Sequence, residues 1–140
     1  MITYVDTSTL LKLVVDEYGS QRAELIWDSA DALASVSLVV VEAAAALASA
    51  VRAERLSLVQ HRSAKAEVAD LLGDMHLIEV TDELIAAAAE LAETERLRGY
   101  DAVHLAAALF VGATILTSAD RALCDAAGRR GLHVANPLID

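Results

Sequence analysis

Five short apolar runs with strand-forming residues are separated along the chain by longer stretches with helical spacing. The runs lie at residues 2–5, 32–36, 76–80, 113–117 and 132–135. Strands that are joined by helical connections pair in parallel, and a parallel sheet has helices on both of its faces. The alternation therefore predicts an α/β fold of three layers (α/β/α) with a central, mainly parallel five-stranded sheet. It predicts a single domain over residues 1–140 but leaves the strand order open.

The stretches between the runs begin at residues that typically cap helices. Ser37 and Ser57 are expected to cap two long helices, because a serine hydroxyl accepts hydrogen bonds from the free N–H groups of the first turn. Thr81 precedes two acidic residues, whose charge suits the positive end of the helix dipole. The last helix is expected to start near Ser118. The only proline is Pro137, so none interrupts these helices.

Charge and composition exclude two classes of protein. Lys and Arg total 11 while Asp and Glu total 21, which gives a formal net charge of −10. Domains that hold nucleic acid by charge alone are usually strongly basic, so the acidity argues against that class. Hydrophobic residues make up 56% of the chain, which excludes a disordered protein.

The sequence favours a cytoplasmic protein. Cys124 is the only cysteine and forms no internal disulfide, so nothing requires an oxidising compartment. No basic segment precedes an apolar run at the start of the chain, and Asp6 stands where a signal peptide would be apolar. Residues 32–51 are long enough to span a membrane, but Glu42 near their middle would cost roughly 2.5 to 3.5 kcal/mol there. We therefore expect a buried strand and a helix in this segment, and no membrane contact.

Four acidic residues occupy positions near the carboxyl ends of the predicted strands, where α/β proteins bind ligands. Asp6 directly follows the first run, and Asp120 lies just past the fourth. Glu42 and Asp101 lie in helical segments that are apolar on nearly every side, where an unpaired carboxylate is costly to bury. An Asp after a strand is also a common cap or turn residue, and this is the alternative for Asp6.

A crevice with three or four carboxylates and no lysine or arginine among them would suffer severe mutual repulsion. A hard divalent cation relieves it, and Mg²⁺ takes oxygen ligands from one or two carboxylates together with substrate phosphates. Such an ion activates water and stabilises the charge that develops on a phosphodiester. Four acids without a Ser-His or Cys-His pair therefore favour phosphodiester hydrolysis over acyl transfer.

The segments around these acids resemble the PIN domain, and more narrowly the VapC-type ribonuclease toxins of prokaryotic toxin–antitoxin pairs. The resemblance spans essentially the whole chain and rests on Tyr4-Val5-Asp6-Thr7-Ser8, Glu42, Tyr100-Asp101-Ala102-Val103-His104-Leu105-Ala106-Ala107-Ala108 and Leu116-Thr117-Ser118-Ala119-Asp120-Arg121. It implies a Mg²⁺- or Mn²⁺-dependent endoribonuclease whose catalytic, metal-binding cluster is Asp6, Glu42, Asp101 and Asp120. A supporting hydroxyl would come from Thr117 or Ser118. Two residues separate Thr117 from Asp120 where the family has about one, so the choice between the hydroxyls stays open.

The resemblance also implies partners. The substrate would be RNA, and the chain would form a homodimer. A cognate VapB-type antitoxin would inhibit the enzyme by placing its C-terminal segment across the active site. The alanine run at residues 86–89 predicts close helix packing, which would suit a dimer interface.

Four further residues are candidates for contact with RNA, each with a structural alternative. Lys12 in the first predicted helix is within reach of a phosphate, or lies on a solvated face. His104 follows Asp101 by three residues on the same helix face, so it contacts substrate, orients an acid, or serves as a hydrogen-bonded core histidine. Arg52 and Arg55 belong to an unusually basic segment that guides RNA phosphates or forms a solvated corner.

Other functions stay open at this stage. A housekeeping RNA-processing PIN nuclease would carry the same acids, and an inert interaction module would keep the fold without the reaction. A receiver-type phosphoacceptor would need an acidic pair after the first strand, and only Asp6 is present. A phosphatase with an aspartyl nucleophile would need a second Asp two residues after Asp6, where Ser8 stands.

Overall fold

The computed structural model describes residues 1–139; Asp140, the last residue of the predicted domain, lies outside the described residues. The strands are β1 (Ile2–Val5), β2 (Ala32–Val36), β3 (His76–Ile78), β4 (Ile115–Thr117) and β5 (His133–Ala135). The helices are α1 (Thr7–Lys12), α2 (Ser20–Asp28), α3 (Leu38–Arg52), α4 (Leu58–Gly73), α5 (Asp82–Thr94), α6 (Gly99–Phe110) and α7 (Arg121–Arg129).

The sheet has the order β3-β2-β1-β4-β5, and each of these neighbouring pairs is parallel. Tyr4 of β1 pairs with Ala34 of β2 on one side and with Leu116 of β4 on the other. The chain therefore adds β2 and β3 on one side of β1 before it returns to place β4 and β5 on the other side. The predicted five-stranded parallel sheet is confirmed.

Helices cover both faces of the sheet, because successive residues of a strand point to opposite sides. Tyr4 belongs to a core that includes Leu105 of α6 and further side chains of α5 and α7. Val5 belongs to a second core that includes Leu10 of α1, Leu47 of α3 and side chains of α4. The chain thus has the predicted three layers, with β1 in contact with both cores.

The expected cap at Ser57 and the expected helix start at Thr81 are confirmed. Ser57 and Gln60 form a reciprocal capping box at the start of α4, and the Thr81 hydroxyl accepts from the N–H of Leu84 at the start of α5. The expectation for Ser37 is wrong, because its backbone is helical (φ −57°, ψ −21°) and its side chain makes no capping bond. The last helix begins at Arg121 and not near Ser118, since the Asp120 carboxylate caps it by accepting from the N–H of Leu123.

Residues 32–51 form β2 and nearly all of α3, as the sequence predicts. Within residues 1–139, no helix combines the length and apolar character needed to cross a bilayer.

The carboxyl ends of the strands and the starts of two helices lie together along one edge of the sheet, the edge that runs across the strand ends. The carboxyl ends of β1 and β4 lie side by side there, and the Asp6 N–H continues their ladder by donating to the Thr117 carbonyl over 3.0 Å. α3 starts just after β2, and α6 starts at this edge because it runs back to the amino end of β4. The strand order changes direction between β1 and β4, which is where open α/β sheets bind ligands.

Candidate active site

Asp6 lies at the end of β1 and is held by two serine hydroxyls. Ser8 and Ser118 each donate to Oδ2 of Asp6 over 2.7 Å. The N–H of Ala119 donates to the Ser8 hydroxyl and the N–H of Asp120 to the Ser118 hydroxyl, so the loop after β4 is tied to the start of α1. These contacts fix the orientation of a carboxylate that is almost fully buried.

Glu42 projects from the first turns of α3 toward Asp6. Its Oε1 accepts from the Thr7 hydroxyl over 2.7 Å and lies 2.6 Å from Nε2 of His104. The same Nε2 is 3.3 Å from Oδ1 of Asp6. Nδ1 of His104 lies 2.8 Å from the hydroxyl of Tyr4. His104 therefore connects two of the predicted acids to a buried tyrosine of the central strand.

The ionisation of this network follows from its contacts. Burial lowers the pKa of His104, but its hydrogen bond to Glu42 and the nearby acids outweigh burial and raise the pKa above its ordinary value. Burial likewise raises the pKa of Glu42, yet the hydrogen bond and charge of His104, helped by Thr7, bring it below its ordinary value. Burial raises the pKa of Tyr4 well above its ordinary range, so the phenol stays neutral. The contact between His104 and Glu42 thus favours the charged form of each group.

Asp101 and Asp120 face each other across one arginine. Nε of Arg98 donates to Oδ2 of Asp101, and Nη2 donates to Oδ2 of Asp120, each over 2.9 Å. The expectation of a crevice without lysine or arginine is therefore wrong. Arg98 occupies the N-cap position of α6, and an arginine three residues before an acid reaches it on the same helix face.

The hydrogen bonds and ion pairs place the four acids around one crevice, because Arg98 links Asp101 to Asp120, Ser118 links Asp120 to Asp6, and His104 links Asp6 to Glu42. Burial raises the pKa of Asp101 above its ordinary value, and the charges of Asp120 and Asp6 raise it further, although Arg98 acts in the opposite direction. The four acids come from four separate segments of the chain: the end of β1, α3, α6 and the N-cap of α7.

The donor set fits a hard divalent cation in its chemistry. All of the candidate ligands are carboxylate oxygens with adjacent hydroxyls, and Mg²⁺ is usually held by one or two protein carboxylates. Within residues 1–139, no three His, Cys, Asp or Glu side chains are arranged as around a bound metal ion. In the described residues, Arg98 lies between Asp101 and Asp120, and Nε2 of His104 lies between Asp6 and Glu42. The residues fit Mg²⁺ or Mn²⁺ through the chemistry of their oxygen donors.

A groove of about 770 Å³ opens from the acids along α5 and α6. Glu42, Asp101 and Arg98 lie along it, whereas the side of α5 that faces it is apolar, with Ile85 and several alanines. Tyr100 also lines the groove and is 66% exposed.

Contact of Lys12, Arg52 and Arg55 with RNA stays a prediction, and the structure gives the positions of these three side chains. Lys12 is buried and donates to Glu17 over 3.0 Å and to the Tyr18 carbonyl over 2.8 Å, so its charge is already used. Arg52 ends α3 ten residues after Glu42, about 15 Å along the helix axis, and Arg55 lies beyond the end of α3.

The two candidate hydroxyls have different contacts. Thr117 is fully buried and pairs with Thr9 over 3.0 Å, whereas Ser118 contacts Asp6. These contacts favour Ser118 as the supporting hydroxyl, which stays a prediction.

The interpretation of the sequence considered mainly the acids and missed three residues that contact them: Thr7, Ser8 and Arg98. Thr7 and Ser8 had a sequence signal, because they directly follow Asp6 at the start of a predicted helix. Arg98 had one as well, since it lies three residues before Asp101. Its second contact, with Asp120, depends on how α6 and α7 pack, and no sequence spacing reveals it.

The family model of the PIN domain matches residues 3–129, and the chain belongs to this family. The chain is also 38% identical to Ribonuclease VapC45 of Mycobacterium tuberculosis (strain CDC 1551 / Oshkosh), over 99% of this chain and 98% of that protein. The resemblance to VapC-type PIN domains is thereby confirmed.

Solved structures share the fold at low sequence identity. FitAcB from Neisseria gonorrhoeae superposes with a TM-score of 0.74 at 17% identity, covering 98% of both chains. VapBC2 from Rickettsia felis, bound to a DNA fragment from its promoter, gives a TM-score of 0.65 at 16% identity, with 97% of this chain and 98% of that chain covered. These similarities establish the fold.

Proposed function

We propose that this chain is a Mg²⁺- or Mn²⁺-dependent endoribonuclease that acts in the cytoplasm as the toxin of a VapBC-type toxin–antitoxin pair. One observation carries the proposal: Asp6, Glu42, Asp101 and Asp120 converge at the switch point of the sheet. The similarity to a protein named ribonuclease over nearly the full chain supports RNA as the substrate.

The four acids would hold the divalent ion. When bound, the ion supplies an activated water and stabilises the charge that develops on the phosphodiester. Ser8 and Ser118 keep the Asp6 carboxylate in place by donating to one of its oxygens. His104 and Thr7 do the same for Glu42. Orientation of metal ligands by such partners commonly affects metal affinity or activity by 10- to 100-fold.

The serines of the crevice support hydrolysis over acyl transfer. A serine nucleophile needs a histidine within hydrogen-bond reach as its base. The hydroxyls of Ser8 and Ser118 instead donate to Asp6, and both nitrogens of His104 are engaged by Tyr4, Glu42 and Asp6. These hydroxyls therefore hold a ligand in position and do not attack a substrate.

A VapB-type antitoxin would bind along the groove of α5 and α6. An inhibitory segment with an arginine and apolar side chains matches this surface, because acids lie at one end and the wall of α5 is apolar. Arg98 shows that a guanidinium fits between Asp101 and Asp120. The homodimer stays a prediction from the family resemblance.

Expression in bacteria tests the toxin role. The wild-type chain is expected to arrest growth within a few generations, whereas the Asp6→Asn variant, expressed to the same level, leaves growth unchanged. Co-expression of the protein encoded directly upstream of the gene should restore growth if that protein is the antitoxin. Unaffected growth with the wild type, together with RNA cleavage by the purified protein, would instead favour a housekeeping nuclease. Absence of both would indicate an inert interaction module.

Thermal unfolding in Mn²⁺ tests the proposed metal site. A ligand that binds only the folded state at 100 times its Kd stabilises that state by about 2.7 kcal/mol. For a chain of this length, we expect a rise in Tm of roughly 5 to 10 °C. The Asp101→Asn variant should show a much smaller rise, because it lacks one ligand. Equal shifts in the two proteins would place the ion elsewhere.

A further inference from the structure

Arg98 is paired with the acids, yet it lies at the surface. Its side chain is 78% exposed, while the side chains of Asp101 and Asp120 are 12% and 28% exposed. The guanidinium donates from Nε and Nη2 to these two carboxylates. Nη1 has no hydrogen-bond partner among residues 1–139.

The ion pairs of Arg98 with Asp101 and Asp120 are of a kind that a phosphate can replace. Ion pairs with an exposed partner contribute little to stability, because water competes for the charges. Arginine also binds phosphate through two parallel N–H groups, the same geometry that it uses for carboxylates. A phosphate that approaches the crevice can therefore bind the guanidinium of Arg98 with the same geometry as the carboxylates do.

The crevice also needs a cation for its substrate. RNA is a polyanion, and the four carboxylates carry more negative charge than one divalent ion neutralises. Lys12, the nearest lysine along the chain from Asp6, is buried and already paired with Glu17. His104 is fully buried beneath Asp6 and Glu42. Arg98 is the exposed cation that contacts the acids within the described chain.

We propose that Arg98 binds a phosphate of the RNA next to the scissile bond, and that Asp101 and Asp120 hold it in position until substrate arrives. This inference rests on the proposed ribonuclease function. Arg98 would neutralise Asp101 and Asp120 in the absence of RNA, and it would align the RNA backbone when RNA binds.

The test compares Arg98→Ala with Arg62→Ala, which removes the same charge from an exposed position on α4. Both changes are placed in the Asp6→Asn background, and the binding of a fluorescent random-sequence single-stranded RNA is measured by anisotropy over a series of KCl concentrations. Loss of one phosphate contact is expected to reduce the slope of log Kd against log salt by about 0.7. Arg98→Ala should show this reduction, and Arg62→Ala should not.

Steady-state cleavage with the native acids provides the second measurement. Arg98→Ala is expected to raise KM by roughly 10- to 100-fold, the effect of losing a hydrogen bond to a charged group. Arg98→Lys keeps the charge and should recover part of the loss. An unchanged KM and salt slope in Arg98→Ala would overturn the inference, as would a loss confined to kcat. If the wild type cleaves no RNA in Mg²⁺ or Mn²⁺, the proposed function itself fails.

Discussion

Asp6→Asn is expected to reduce metal-dependent RNA cleavage by more than about 100-fold. Changes to residues that only orient a metal ligand commonly cost 10- to 100-fold, and loss of a ligand should cost more. Asn has nearly the same size as Asp but lacks the charge, and its carbonyl still accepts from Ser8 or Ser118. The variant should therefore stay folded and lose its activity. Cleavage of a labelled RNA pool in Mn²⁺ measures the effect.

Asp125→Asn is the matched control for this experiment. Asp125 lies on the exposed side of α7, so its substitution removes the same charge outside the crevice. Cleavage by this variant should equal that of the wild type. Full activity in Asp6→Asn would show that the acidic crevice at the carboxyl ends of β1 and β4 is not the catalytic site, even though the chain belongs to the PIN family.

His104→Ala is expected to lower the free energy of unfolding by roughly 3 to 5 kcal/mol, the range for removing a large buried ring. His104 is almost fully buried and contacts Tyr4, Glu42 and Asp6. Its removal leaves a cavity and deprives the buried Tyr4 hydroxyl of its partner, which adds a desolvation cost. It also leaves Glu42 and Asp6 without the imidazole that lies between them. Urea unfolding measures the change.

His133→Ala provides the comparison, because His133 is exposed on the edge strand β5. Its effect should stay within about 0.5 kcal/mol, as for most surface substitutions. If both histidine variants have the stability of the wild type, the imidazole does not connect the core to the acids.

Much of the fold could be predicted from the sequence, because its signals are local. Strand and helix periodicity predicted the parallel sheet, and Ser57 and Thr81 cap helices through contacts within one turn. Ser37 failed as a cap because its backbone is already helical. The strand order depends on which side of β1 each crossover packs, and the spacing of the runs contains no such information.

The candidate site was likewise predictable where its signals are local in the sequence. The four acids were predictable since each follows a strand or interrupts an apolar helix. Their partners were not, because they depend on contacts between distant segments: Ser118 with Asp6, His104 with Glu42, and Arg98 with Asp120. Four of the acidic residues that contribute to the net charge of −10 share a crevice with an arginine and a histidine. The positions of the acidic residues in the sequence thus indicated more about the function than the net charge did.

The nature of the RNA ends tests the central claim most directly. If the acidic crevice hydrolyses RNA with a divalent ion, water is the nucleophile, and the products are linear fragments without a 2′,3′-cyclic phosphate. Cleavage should stop in EDTA, return with Mn²⁺, and persist when the scissile nucleotide lacks its 2′-hydroxyl. Cyclic phosphate ends, formed equally well in EDTA, would show that the 2′-hydroxyl is the nucleophile and would contradict the metal-dependent mechanism.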